Sequence, residues 1–204
     1  LRGATNAVWS LDDDVRHVVA FSSGNHAQGV ARAVTTRGLK ATIIMPEDTP
    51  ATKIEGTKAY GADVVTYDRY TESREEIGEA LSQKYNANLI KPYDDVRVIA
   101  GQGTVGLEIA GQVSVMGVVP DALICCCGGG GLIAGTSIAL HAHFPKTKIW
   151  CAEPQFYDDT KRSLETGAIE LAQTEKSSIC DAIVTPEPGQ LTFPVNRNHL
   201  SGGA

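Results

Sequence analysis

An α/β fold is predicted by three features: short apolar runs alternating with segments of helical spacing, runs that are apolar almost throughout, and glycine or proline between them. The candidate strands are His17–Phe21, Ala41–Met45, Asp63–Tyr67, Asn88–Ile90, Ala122–Cys127 and Lys148–Ala152. Such runs have no polar face, so both faces are expected to be covered, as in parallel sheets with crossover helices. Val30, Ala33 and Val34 give one apolar helix face, which Gly38 stops. Thr49-Pro50 opens the next helix, with proline where its missing N–H costs nothing. Glu72–Tyr85, Ile99–Val113 and Leu132–His143 are the remaining helical segments. The tail Asn196–Ala204 is polar and is expected to supply neither helix nor strand.

Composition narrows the function classes. The chain has 204 residues, 42% hydrophobic and 21% charged, enough for one large domain or two small ones. The formal net charge is -6 with the signs interspersed, so no basic stripe suits nucleic acid. No apolar run approaches the roughly 18 residues of a membrane span. The opening LRGATNAVWS lacks the charged-then-apolar order of a signal peptide. Cys125, Cys126 and Cys127 are consecutive, Cys151 and Cys180 stand apart, and no CxxC pair occurs. That pattern suits small buried hydrophobes in a reducing cytoplasm, not a disulfide framework or a zinc site.

Two loops concentrate polar or glycine residues where a strand meets a helix. Ser22-Ser23-Gly24-Asn25-His26 follows HVVAF. Backbone N–H groups and short polar side chains at a helix N-terminus make an anion site, while the plainer reading is a helix cap. Five consecutive small or polar residues exceed what capping needs, which favours binding of a carboxylate or a ring hydroxyl. Gly128-Gly129-Gly130-Gly131 lies between ALICCC and LIAGTSIAL. Glycines there let the chain turn sharply and present several N–H groups to one phosphate. A rival reading exists: Gly129, Gly131 and Ala134 also fit G-x-G-x-x-A, with Glu153 where a ribose-binding acid of a nicotinamide dinucleotide site would stand. Glu153, Asp158 and Asp159 follow the last strand and suit either a hard cation or the favourable end of a helix dipole. The Ser23/His26 pair lacks the G-x-S-x-G elbow of a hydrolase.

The motifs SSGNHAQG, GADVV, ESRE, VIAGQGT, CGGGGL and AEP, in that order, resemble the fold type II pyridoxal-phosphate enzymes. The closest resemblance is to the serine/threonine dehydratases (ammonia-lyases) and serine racemases, from Leu1 to about Val195. The resemblance implies two parallel-sheet α/β domains, a small one over 17–96 and an incomplete large one from 1–16 and 97–204. It implies that Asn25 meets the ring hydroxyl of pyridoxal 5'-phosphate, that Ser22, Ser23, Asn25 and His26 hold the substrate carboxylate, and that Gly128, Gly129, Gly130 and Gly131 hold the phosphate. Arg74 matches a small-domain arginine near the substrate. Glu153 and Asp159, with the carbonyl of Tyr157, match ligands of Mg²⁺ or Ca²⁺. LRGATNA resembles the segment after the Schiff-base lysine, which would precede Leu1, so the chain by itself is expected to be inactive.

Further expectations follow from the family. The substrate is a small hydroxy amino acid, and the reaction is dehydration of L-threonine or L-serine to a 2-oxo acid and ammonia. Ser23 stands where racemisation would need its second acid/base, so a serine racemase is the alternative. A non-catalytic fragment is a further alternative. A homodimer is the expected assembly, without nucleic acid or membrane. One departure concerns the cofactor: where the family has A-D-G, this chain has Cys180-Asp181-Ala182.

Overall fold

A computed structural model describes residues 1–174 and 178–204. The chain divides into two compact units, Leu1–Pro92 and Tyr93–Ala204. Each is built around a parallel sheet.

The first unit holds a four-stranded sheet in the order β3-β2-β1-β4. Its strands are β1 (His17–Phe21), β2 (Lys40–Pro46), β3 (Asp63–Tyr67) and β4 (Asn88–Ile90). All pair in parallel, with Val19 opposite Thr42 and Leu89. Helices α1 (Arg2–Trp9), α2 (Asn25–Thr36), α3 (Ala51–Ala59) and α4 (Arg74–Tyr85) belong to this unit. β1 and β2 are buried almost end to end, as their apolar sequences require. Val18, Val19, Ala20, Ile43, Ile44 and Met45 are wholly inaccessible to solvent. α2 ends where Gly38 takes a φ of +75°, a conformation that needs glycine. Ser73 caps α4 by accepting from the N–H of Glu76 at 3.2 Å. α1 is not visible as an apolar stripe because its buried face is Gly3, Ala4, Ala7 and Val8, mostly small residues packed on α2.

The second unit holds a three-stranded sheet, β5 (Ala122–Cys126), β6 (Lys148–Ala152) and β7 (Gly202–Gly203), in that order. Its helices are α5 (Val96–Val115), α6 (Gly131–His143), α7 (Asp159–Thr166) and α8 (Thr192–His199). The core joins Cys127, Ile133, Leu140, Ile149 and Cys151. Gly135 and Gly106 bring α5 and α6 close enough that an added Cβ at either would overlap backbone of the other helix. β5 departs from the expectation of cover on both faces: it is an edge strand with alternating burial, and Ile124 is 68% exposed.

The tail also departs from expectation. Its first residues complete α8, and Gly202–Gly203 pairs in parallel with Trp150 and Cys151. The α8 face turned to the core is Thr192, Phe193 and Asn196, which is largely polar, so hydrophobic periodicity does not reveal it. The bare strand is accepted because Trp150 covers Gly202, where a Cβ would stand 2.7 Å from the ring. Among the described residues no helix is long and apolar enough to cross a membrane.

Candidate active site

The loop after β1 belongs to the first unit. Gly24 is the N-cap of α2 and uses no side chain for capping. Ser22 Oγ accepts from the N–H of Gly24 at 3.1 Å, closing a local turn. Neither Ser23 nor Asn25 serves as the cap, and Asn25 is exposed at the first helical position. His26 is half-buried beside it. The loop thus presents short polar groups at a helix N-terminus, where the dipole favours an anion. Arg74 stands near this loop, its Cζ 5.1 Å from the ring centroid of Phe21, the residue directly before Ser22. It sits at the first position of α4, against the dipole, and pairs with Glu75 at 2.8 Å.

The glycine loop belongs to the second unit and leads from β5 into α6. Gly130 is the N-cap with φ +87° and ψ -2°, and Gly131 is the first helical residue. Left-handed followed by right-handed backbone turns successive N–H groups toward one point, the arrangement that binds phosphate. The loop is closely backed. A Cβ at Gly129 would overlap the ring of Tyr93, and one at Gly131 would lie 2.9 Å from the Tyr93 Cα. A Cβ at Gly130 would lie 2.5 Å from Asn196 Nδ2, and one at Gly128 would lie 3.2 Å from the Cα of Ile183. Ala182, the departure from the family glycine, therefore directly precedes a residue that touches the loop.

Tyr93, Asp94, Thr192 and Asn196 are the residues that sequence reasoning missed. Asp94 Oδ1 accepts from the N–H of Leu191 at 2.7 Å. Thr192 Oγ1 donates to the Gly129 carbonyl at 2.6 Å, and Asn196 Nδ2 donates to that of Gly130 at 3.4 Å. A buried threonine and asparagine inside a polar stretch carry no motif that could have announced them.

The acidic cluster adjoins the loop through the chain and through one contact: Cys127, just before Gly128, places its Sγ 3.4 Å from Thr160 Oγ1. Glu153 Oε1 accepts from the N–H of Thr160 at 3.1 Å and Oε2 from that of Lys161 at 2.8 Å. Glu153 thus closes the start of α7, with both carboxylate oxygens held by that helix's first amides. Asp159 is 1% exposed, and among the described residues neither of its carboxylate oxygens has a hydrogen-bond partner. Burial, then the nearby Glu153, pushes its pKa up to about 7. Burial also raises that of Glu153, against the amides that hold it. Tyr157 is buried and follows Phe156, whose φ of +73° is unusual for a bulky residue and turns the chain sharply here. A buried, unpartnered carboxylate with oxygen donors nearby fits a hard cation. Among the described residues no group of three His, Cys, Asp or Glu side chains forms a metal cluster, so backbone or water oxygens would have to complete such a site. The cysteines are free thiols: Cys127 and Cys151 are buried as expected, whereas Cys126, on an outward position of the edge strand β5, and Cys180 are exposed, against the expectation of buried hydrophobes. Burial pushes the thiols of Cys125 and Cys151 up to about 12.

The family model described as "Pyridoxal-phosphate dependent enzyme" matches residues 1–203. An L-threo-3-hydroxyaspartate ammonia-lyase of Saccharomyces cerevisiae is 43% identical over 201 residues, covering 98% of this chain and 60% of the relative. A serine racemase of Dictyostelium discoideum is 40% identical over 205 residues, covering 99% of this chain and 62% of the relative. The chain therefore spans about three-fifths of these relatives' length. Among solved structures, a threonine deaminase superposes with a TM-score of 0.92 at 44% identity, covering 99% of this chain and 65% of that one. The serine racemase of Dictyostelium discoideum superposes with a TM-score of 0.88 at 39% identity, covering 99% of this chain and 64% of that one.

Proposed function

Because this chain belongs to the fold type II pyridoxal-phosphate dependent enzymes, in the group of serine/threonine dehydratases and serine racemases, we propose that the intact enzyme deaminates a small β-hydroxy amino acid to a 2-oxo acid and ammonia, with L-threonine and L-serine as substrates. The observation that carries this reading is the glycine loop. Gly130 is left-handed, Gly131 opens α6, and Tyr93 leaves no room for a side chain at Gly129. That cradle fits a phosphate monoester. When bound, the cofactor supplies an electron sink for the charge left when the α-proton departs.

The chain's own residues would divide the remaining work. Gly128–Gly131 would hold the phosphate through backbone N–H groups. Asn25 would orient the ring by its hydroxyl. Ser22, Ser23 and His26, with the start of α2, would bind the substrate carboxylate and fix which α-hydrogen faces the base. Ser23 would hold or move a proton at the α-carbon on the opposite face, which is what a racemase requires. Glu153, Asp159 and the Tyr157 carbonyl would hold Mg²⁺ or Ca²⁺, with a structural effect. The division into a domain over 17–96 and another from 1–16 and 97–204, and assembly as a homodimer in the cytoplasm, belong to this proposal.

A second reading makes 3-hydroxyaspartate the substrate. It is supported by the name of the yeast relative at 43% identity and by Arg74 beside Phe21, since a guanidinium pairs well with a second carboxylate. The experiment is an assay of the full-length protein with L-serine, L-threonine and L-threo-3-hydroxyaspartate, reading 2-oxo acid, ammonia and D-serine. Turnover of the first two above the third supports the main reading. Preference for 3-hydroxyaspartate supports the second, and D-serine without keto acid supports a racemase. No product from any substrate overturns all three.

A further inference from the structure

The glycine loop does not hold its own shape. The carbonyl of Gly129 accepts twice, from Thr192 Oγ1 at 2.6 Å and from the N–H of Gly189 at 3.2 Å. The carbonyl of Gly130 also accepts twice, from Asn196 Nδ2 at 3.4 Å and from the N–H of Ala134 at 3.0 Å. All of these donors except Ala134 come from residues 189–196, the start of α8 and the turn before it. In a trans peptide the C=O and the following N–H point in opposite directions. Fixing the Gly129 carbonyl toward α8 therefore aims the N–H of Gly130 away from α8. Fixing the Gly130 carbonyl does the same for the N–H of Gly131. Neither of these N–H groups donates to another group among the described residues.

Thr192 and Asn196 are wholly inaccessible to solvent. A hydroxyl and an amide at such positions cost free energy unless they bond, so their role lies in what they hold. Among the described residues Asn196 Oδ1 has no partner, which makes the amide a poor choice for stability alone. Asp94 fixes the support itself, since its Oδ1 accepts from the N–H of Leu191 directly before Thr192.

We propose that Thr192 and Asn196 are positioning residues that preset the amides of Gly130 and Gly131 for a phosphate monoester by holding the carbonyls behind them. The inference rests on Gly128–Gly131 being the phosphate cradle. It adds that the cradle's selectivity for phosphate resides in α8, more than sixty residues further along the chain. Without the Thr192 hydroxyl the Gly129 peptide loses its shortest bond and can rotate, and its amide then no longer faces the anion.

The test uses the full-length protein and compares binding of pyridoxal 5'-phosphate with binding of pyridoxal, which lacks the phosphate. Thr192→Val keeps the shape and removes the donor. It is expected to lower the ratio of the two affinities by about tenfold, roughly the effect of one hydrogen bond, while pyridoxal affinity stays as in the wild type. Thr192→Ser restores the donor and is expected to restore the ratio. The ³¹P resonance of the bound cofactor should shift in Thr192→Val and return in Thr192→Ser. Asn196→Leu is the second variant, expected to lower the ratio in the same sense. An unchanged ratio in both variants overturns the proposal, as does an equal loss of both ligands or loss of fold in both. If the wild type binds pyridoxal as tightly as its phosphate, the cradle reading itself fails, an outcome distinct from failure of α8 to position it.

Discussion

His141 and His199 meet through their Nδ1 atoms at 3.0 Å, at the C-terminal ends of α6 and α8. The N-terminal ends of the same helices meet at the glycine loop, so the pair closes the far end of one frame. The tautomers follow from the partners. His141 Nε2 lies 2.9 Å from the Thr147 carbonyl, which can only accept, so that nitrogen carries the proton. Nδ1 of neutral His141 is then the acceptor, and His199 Nδ1 donates. Burial, then His141, holds the pKa of His199 below the usual histidine range. The unfolded chain therefore takes up this proton first as pH falls. The stabilising difference is present above the ordinary value of about 6.5 and is lost below it, toward the lowered folded value. His17 is held low in the same sense by burial and then Lys40, whereas Asp159 is shifted the other way. The informative quantity is thus the difference between variants. The fall in melting temperature between about pH 8 and about pH 5 should be smaller in His199→Asn than in the wild type. Identical slopes would show that the pair does not contribute.

Two helical glycines should respond to alanine with opposite signs. A Cβ at Gly135 would overlap the Ile99 carbonyl and stand 2.7 Å from the Gly103 nitrogen, so α5 and α6 would have to separate. Gly135→Ala is expected to cost about 1–3 kcal/mol, the usual range for overpacking. At Gly111, exposed in α5, a Cβ meets nothing within 4 Å. Gly111→Ala is expected to stabilise by about 0.5–1 kcal/mol through helix propensity and a less disordered unfolded chain. Urea unfolding of both variants checks this, and the same sign for both would refute the packing argument.

Periodicity made the sheet strands legible because β1, β3, β4 and β6 have dense apolar runs, and their bounds agree with the sequence reading. Gly38 marked the end of α2 for a conformational reason, its positive φ. β7 and α8 were illegible for the converse reason. A two-glycine strand has no side-chain pattern, and α8 buries Thr192 and Asn196, which bond to carbonyls instead of filling a core. The candidate site divides in the same way. The SSGNH and glycine loops announce themselves by composition, whereas the side chains that hold the glycine loop come from distant positions with ordinary composition.

Asp159 predicts a cation effect. Its buried carboxylate, unpartnered among the described residues and beside Glu153, should favour a divalent ion with oxygen ligands. Adding Mg²⁺ or Ca²⁺ to the full-length protein is expected to raise its melting temperature. At one hundred times the dissociation constant the gain is about 2.7 kcal/mol. Asp159→Asn should remove the response to the ion while retaining a similar volume. A wild type indifferent to both ions and to chelator, with no heat of binding, would mean that the two acids serve α7 alone.

Ser23 should separate elimination from racemisation. It lies in the turn between β1 and α2, half-exposed, while Ser22 rather than Ser23 accepts from the Gly24 amide. The side chain that closes the turn is therefore that of Ser22 and not that of Ser23. A base on one face suffices to take the α-proton of an L-amino acid and support loss of the β-hydroxyl. Racemisation also needs a proton delivered from the opposite face. A general acid/base contributes about a hundredfold to ten-thousandfold. In the full-length enzyme Ser23→Ala should lower D-serine formation by roughly that factor and lower dehydration of L-serine or L-threonine far less. Elimination from D-serine should fall with racemisation, because there Ser23 would be the base. Parallel loss of L-dehydration and racemisation would mean that Ser23 positions the substrate and moves no proton. A wild type that forms no D-serine would remove the racemase reading and leave dehydration to be judged by the keto acid alone.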